Sequence, residues 1–330
     1  GITGPVVFNI LPGTYSGTGW QGLITNVTGA SATNTITFQA QNGPGTVSIS
    51  YAGSSTANYV FGLSSARYVT IRNLTLANTN TSYGNVVRMI GTASFNTITG
   101  CRLVSPAVSS SSADLAVVWV GASGNVHTGS DITCQNDTFQ NGSAAYWSYG
   151  SASSNPTMNH TITNCQINNP YYSLLYCYYT GNINVSGCSF TANSAGLNYG
   201  FYFYYPGNGV SFTNNTANIT TTYSGHYAFY WYMANYTSGV QGTTTNAYKS
   251  SNVNSTSNTV YGMYHYYNYN MTMQNNTYNF NGTTGTVYAP YYMAYYWNAG
   301  SVAKNNTINV TVTNSTAYVN GVCAGASGTA

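Results

Sequence analysis

Glutamate is missing from this sequence altogether, and its acidic side chains are three aspartates, Asp114, Asp131 and Asp137. Glycoside hydrolysis requires two carboxylates roughly 5–10 Å apart on either side of one bond, so the supply of acids leaves little room for that chemistry. Bases are nearly as scarce: six Lys and Arg give a net charge of +3, and charged residues make up 3% of the chain. A face that neutralises many phosphates cannot be built from so few, which excludes nucleic acid as a partner. There is no apolar run of about 18 residues or more, so the sequence offers no membrane-spanning helix. CxxC, HExxH, GxSxG and P-loop patterns are all absent, and neither a metal nor a cofactor is expected. Nor does any segment keep an apolar spacing of 3.6 residues, which removes long amphipathic helices.

Asn, Thr, Ser and Gly fill the positions that charge usually takes, while 34 Tyr and a hydrophobic content of 43% argue for a folded chain. Aromatic-rich segments recur: YSLLYCYY from Tyr172, YGFYFYY from Tyr199, YAFYWY from Tyr227, YGMYHYY from Tyr261 and YAPYYMAYYW from Tyr288. The steps between these starts are 27, 28, 34 and 27 residues. Each is followed or preceded by a short polar-turn strand, as in NTITGCRL (96–103), HTITNCQI (160–167), NINVSGCSF (182–190) and NMTMQNNTY (270–278). The longer step fits a loop inserted within 241–259.

A fixed period with two or three strands per repeat describes a solenoid, in which each coil rests on the last. The expected architecture is all-β, a single right-handed parallel β-helix of about ten coils with a period near 28 residues. It is one domain over 1–330, with a first coil at 1–34 carrying an open N-terminal edge, stacked coils at 35–315 and a C-terminal tail at 316–330. Cys101, Asp137, Cys165, Cys188, Asn215, Asn276 and Asn306 share one turn position and should form a stacked ladder. Cys165 and Cys188 fall in adjacent coils, which leaves both a disulfide and a pair of buried thiols open.

The segments GPVVFNILPGTYSG, ASATNTITFQAQNG and YVTIRNLTLAN, with turns of the form I-x-N/G-N/C-x-F/I, resemble right-handed parallel β-helices of the pectin-lyase-like superfamily. Within it they look like repeat proteins secreted to the surface of Bacteroidota-type bacteria. The resemblance covers most of 5–310 and implies the coil far more than any activity. Enzymes of this superfamily cleave acidic polysaccharides, and its lyases hold Ca²⁺ with several acids beside an Arg or Lys base. That pattern is not matched here. Asp137 occupies a ladder position, Asp131 lies six residues before it, and Asp114 follows SSSSA in a loop. His127, His160, His226 and His265 fall at different phases of different coils and read as packed side chains. No catalytic residue is assigned.

Alternation along the aromatic strands then separates two faces. Leu174, Phe201, Phe229 and Met263, with Tyr176, Phe203, Trp231 and His265, form the more apolar set and should line the lumen. The opposite set holds Leu175, Tyr202, Tyr230, Tyr264 and Tyr291, then Cys177, Tyr204, Tyr232 and Tyr266, two outward columns rich in tyrosine. An aromatic patch of that size marks a contact surface. The expected function is a non-enzymatic, self-assembling subunit of an extracellular filament or surface layer. It would polymerise head to tail through uncapped ends and through the tyrosine face. Polysaccharide binding by an adhesin-like β-helix is the alternative, and a lyase or hydrolase comes third. The sequence begins at GITGPVVFNI without Met, which reads as a processed, secreted product or a trimmed one.

Overall fold

A computed structural model describes residues 1–121, 127–152, 156–206, 209–232, 236–237, 240–241, 246–266, 271–283, 287–288, 292–294, 302–313 and 323–325. Three sheets run its length, with eleven, eleven and twelve strands. Among the described residues each turn of chain adds one strand to each sheet, paired in parallel with its counterpart from the turn before, save that Val287–Tyr288 and Tyr292–Ala294 both pair with Thr259–Tyr266 in the third. The fold is a right-handed parallel β-helix. Among the described residues the helical content is two short 3₁₀ turns, Thr18–Trp20 and Ala113–Leu115.

One turn of the chain shows why these residues form a coil. Asn96–Thr99 belongs to the first sheet and Arg102–Val104 to the second. Only two residues separate them, so the chain must bend sharply, and Gly100 does so at φ 64°. In other coils the same corner is turned by Asn73, Asn136, Asn164, Gly187, Asn214, Ser250, Asn275 and Asn305, all at positive φ. Asn and Gly tolerate the left-handed region best, so the N/G in the repeated motif is a backbone requirement. The next residue points inward: Cys101, Cys165, Cys188, Asn215 and Asn276 are buried.

The lumen is filled by one continuous apolar core from Ile36 to Phe280. In the third sheet one inner column runs Phe61, Val87, Val118, Tyr146, Leu175, Phe201, Phe229, Met263. Phe201 and Phe229 stack at 4.8 Å. Because coil repeats on coil, each inner ring finds partners above and below.

Two expectations on register need correcting. Leu175 pairs with Phe201, Tyr176 with Tyr202 and Cys177 with Phe203. Leu175 and Cys177 therefore face the lumen and Tyr176 faces out, the reverse of the alternation first drawn. Ser173, not Tyr172, aligns with Tyr199, and a shift of one residue exchanges the two faces of a strand. The insertion is also displaced. Asn246–Lys249 and Asn252–Ser257 are ordinary coil strands, and an antiparallel pair, Tyr236–Thr237 with Val240–Gln241, accounts for extra chain just before them. Strand and loop share the same Thr/Asn/Ser composition here, so polarity alone did not separate them. Within 316–330, Cys323–Gly325 pairs with Tyr292–Ala294 as a further strand of the third sheet.

Candidate contact surface

The outer surface of the third sheet carries a wall of aromatic rings. Its central column is set by the register Gly62, Arg88, Trp119, Trp147, Tyr176, Tyr202, Tyr230, Tyr264. The rings lie nearly parallel: Tyr176 on Tyr202 at 4.3 Å and 5°, Tyr202 on Tyr230 at 5.0 Å and 7°, Tyr230 on Tyr264 at 5.2 Å and 10°. Beside it runs Tyr149, Tyr178, Tyr204, Tyr232, with centroids 4.8, 4.5 and 4.7 Å apart. A third column passes from Tyr199 through Tyr227 to Tyr261 at 5.6 and 4.4 Å. At the far end Arg88 lies over Trp119, 4.4 Å from the ring, one cation closing an otherwise neutral column.

Coil stacking dictates how this wall meets its surroundings. Rings piled along the axis cover one another's faces, so the surface shows ring edges and phenol hydroxyls. Tyr202 keeps only 7% of its area exposed, while Tyr176, Tyr178, Tyr204, Tyr230, Tyr232 and Tyr264 are half-buried. Burial, then neighbouring phenols, raises the pKa of Tyr202 and Tyr230 well above the ordinary value, so the wall presents neutral hydroxyls. Flat stacking of a sugar ring needs a free aromatic face, and inside the columns those faces are taken.

Of the residues expected on this face, Tyr202, Tyr204, Tyr230, Tyr232 and Tyr264 lie in the outward register. Tyr266 pairs with Tyr232 in the strand, although its side chain is outside the described residues, as is the whole of Tyr291. Tyr292, not Tyr291, pairs with Tyr264. Tyr176, Tyr178, Trp119 and Trp147 were missed as wall members, because reading the column outward from Tyr199 placed the preceding coil one residue out of step.

The turn ladder runs through the lumen. The Cys101 N–H donates to Asp137 Oδ1 at 2.7 Å, and the Cys165 N–H reaches Cys188 Sγ at 3.5 Å. The Cys188 N–H donates to Asn215 Oδ1 at 2.9 Å, and that of Asn276 to Asn306 Oδ1 at 3.1 Å. Ser251 bridges Asn215 and Asn276, a rung without a distinctive sequence signal. Cys165 and Cys188 are free thiols, as are Cys101, Cys134 and Cys177.

The three aspartates do not converge. Asp131 accepts from Asn159 Nδ2 at 3.0 Å on the outside of the coil. Asp137 is 1% exposed inside it, and Asp114 accepts from Asn58 Nδ2 at 3.2 Å near a 3₁₀ turn. No cluster of three metal-ligating side chains occurs among the described residues.

Two histidines thought to be unrelated do meet. His127 Nε2 lies 2.8 Å from the Ala93 carbonyl, which only accepts, so that nitrogen carries a proton, while Nδ1 lies 2.8 Å from Thr157 Oγ1, whose one hydrogen also faces the Gly129 carbonyl at 2.9 Å. The Thr157 oxygen then accepts from His160 Nε2 at 2.8 Å, and His160 Nδ1 accepts from the Tyr146 hydroxyl at 2.7 Å. Both imidazoles are neutral. Burial lowers the His127 pKa to about 4, and burial with the neighbouring His127 depresses that of His160 as well. All four groups are sealed from solvent, so the relay cements the core and offers no access to a substrate.

No protein-family model matches the sequence, and neither does any curated protein. Among solved structures the chain is similar to PfbA, a surface adhesin of Streptococcus pneumoniae. In one structure the TM-score is 0.52 at 13% identity, over 85% of this chain and 70% of that one. A second structure of the adhesin gives 0.52 at 12% identity, over 97% and 90%. The Dettilon tailspike protein gp208 aligns at 0.51 and 10% identity, over 94% and 62%. At such identities the likeness is one of fold alone, a parallel β-helix.

Proposed function

We propose that this chain is a non-enzymatic extracellular structural subunit whose tyrosine wall is its contact face, and that copies of the chain are its partners. The carrying observation is the wall's continuity: parallel rings at 4.3–5.2 Å from Tyr176 to Tyr264. Hydroxyl-tipped edges at that repeat match the spacing of another stack of coils, because any β-helix shares the strand-to-strand distance of about 4.8 Å. Tyrosine suits such contacts, combining a large stiff surface with a hydroxyl to pair. End-to-end stacking is the accompanying mode.

Sedimentation of the protein and of the double variant Tyr204→Lys, Tyr232→Lys tests the wall. Concentration-dependent association is expected, and it should disappear in the variant while the β-sheet circular dichroism stays. A protein that remains monomeric at high concentration refutes self-association. Retention of that monomer on polysaccharide, abolished by the same lysines, would move the wall to a second reading, an adhesin-like glycan-binding face. The fold likeness to a surface adhesin favours that second reading.

A further inference from the structure

Each rung of the turn ladder performs two tasks. Its side chain accepts the N–H of the rung before, and it donates to a backbone carbonyl three residues ahead of that earlier rung. Asn215 Nδ2 donates to the Val185 carbonyl at 2.9 Å, Asn276 to Tyr248 at 2.8 Å and Asn306 to Met273 at 2.9 Å. The thiols face the corresponding carbonyls, Cys101 that of Ile71, Cys165 that of Cys134 and Cys188 that of Ile162, at 3.4–3.6 Å, and each also lies 3.2–3.5 Å from the carbonyl two residues before it in its own coil. Ser251, too short to reach back, donates to Lys249 in its own coil. All of these rungs are donors.

Asp137 holds the same place, and by the rule its carbonyl is that of Ile98. Its Oδ1 does the accepting, from the Cys101 N–H. Its Oδ2 is buried with no donor to accept from. An ionised carboxylate would set that oxygen's lone pairs in a position where the other rungs direct a hydrogen at a carbonyl, in a lumen packed with apolar side chains. A carboxylic acid donates there as an asparagine amide does.

We propose that Asp137 is kept as the neutral acid, an asparagine substitute, and that losing its proton loosens the seam between the coils carrying Cys101 and Asp137. The surroundings agree. The titratable groups around it are the thiols of Cys101, Cys134 and Cys165, all pushed up by burial or a neighbouring thiol and all uncharged. No cation contributes, and burial raises the Asp137 pKa from 3.8 to about 7. A folded-state value above the unfolded one means that stability is fully present below pH 3.8 and is lost as pH rises to about 7. One pKa unit is a factor of ten in the folding equilibrium, so the loss is about a thousandfold. The seam is therefore tighter in acid, opposite in sign to the buried histidines.

Infrared spectroscopy reads the proton directly, since the chain has three aspartates and no glutamate. A variant carrying Asp114→Asn and Asp131→Asn leaves Asp137 as the remaining side-chain carboxyl. It should show the carbonyl stretch of a protonated acid at pH 6, as should the wild type, and the band should vanish on adding Asp137→Asn. In urea titrations the folding equilibrium of Asp137→Asn relative to wild type should rise about a thousandfold between pH 4 and pH 8, a ratio in which the histidine contributions cancel. Absence of the protonated-acid band at pH 6 in the wild type, or a ratio that does not change with pH, overturns the proposal. The wild-type spectrum decides the matter even if a variant fails to fold.

Discussion

Replacing Tyr202 with alanine separates a wall that stabilises the coil from one that merely decorates it. Tyr202 is 7% exposed. It stacks on Tyr176 at 4.3 Å and on Tyr230 at 5.0 Å, and its edge meets Tyr199 at 4.7 Å. Aromatic pairs contribute about 0.5–1.5 kcal/mol each beyond burial, so the three contacts supply about 1.5–4.5 kcal/mol. Burial of the ring adds to this, and truncation of a buried aromatic costs about 3–5 kcal/mol in all. Because neighbouring rings can lean into the gap, we expect the lower end, about 3 kcal/mol. The half-buried Tyr204 has similar stacking partners and more solvent, and Tyr204→Ala should cost about half as much. Urea denaturation followed by tyrosine fluorescence measures both, with midpoints compared at constant slope since solenoids can unfold in stages. A Tyr202→Ala loss under about 0.5 kcal/mol, the range of ordinary surface changes, would refute the claim that the columns act as a second packed layer.

Two further outcomes follow from the lumen. Burial holds the His127 pKa near 4 and that of His226 likewise, against 6.5 when unfolded. Folded values below the unfolded ones give stability that is present above pH 6.5 and lost as pH falls toward 4. Equilibrium unfolding of the Asp137→Asn variant should therefore show a midpoint falling steadily over that window, and a flat midpoint would contradict the sealed relay. Asn215→Ala leaves the Cys188 N–H without its acceptor and removes one donor to the Val185 carbonyl. At about 1–3 kcal/mol for a buried group left unsatisfied, it should destabilise by about that much in the same titration, whereas Asn218→Ala on the outer face should cost little.

Much of the architecture was legible in the chain because a β-helix writes its geometry as a period. The N/G-N/C corner specifies a left-handed residue followed by an inward one, and both preferences are local to the backbone. The charge deficit was equally plain, and it narrowed the chemistry before any coordinates. The outward tyrosines from Tyr202 to Tyr264 could be placed because the coils there repeat at an even 28 residues, or with an insertion that lies between sheets. The preceding coil could not be placed, since a step of 26 rather than 27 residues changes which neighbour each residue meets, and composition gives no sign of it.

By itself, then, the sequence determined the strand class, the period, the corner chemistry and the presence of surplus aromatics. Tertiary structure alone decided that Tyr176 faces out, that His127 and His160 share one threonine across 30 residues of chain, and that one carboxyl oxygen of Asp137 is buried without a donor. The reason is physical. Propensity and periodicity act within a few residues, whereas register between coils is fixed by which side chains can be buried on which neighbours, and that is settled only when the coils meet.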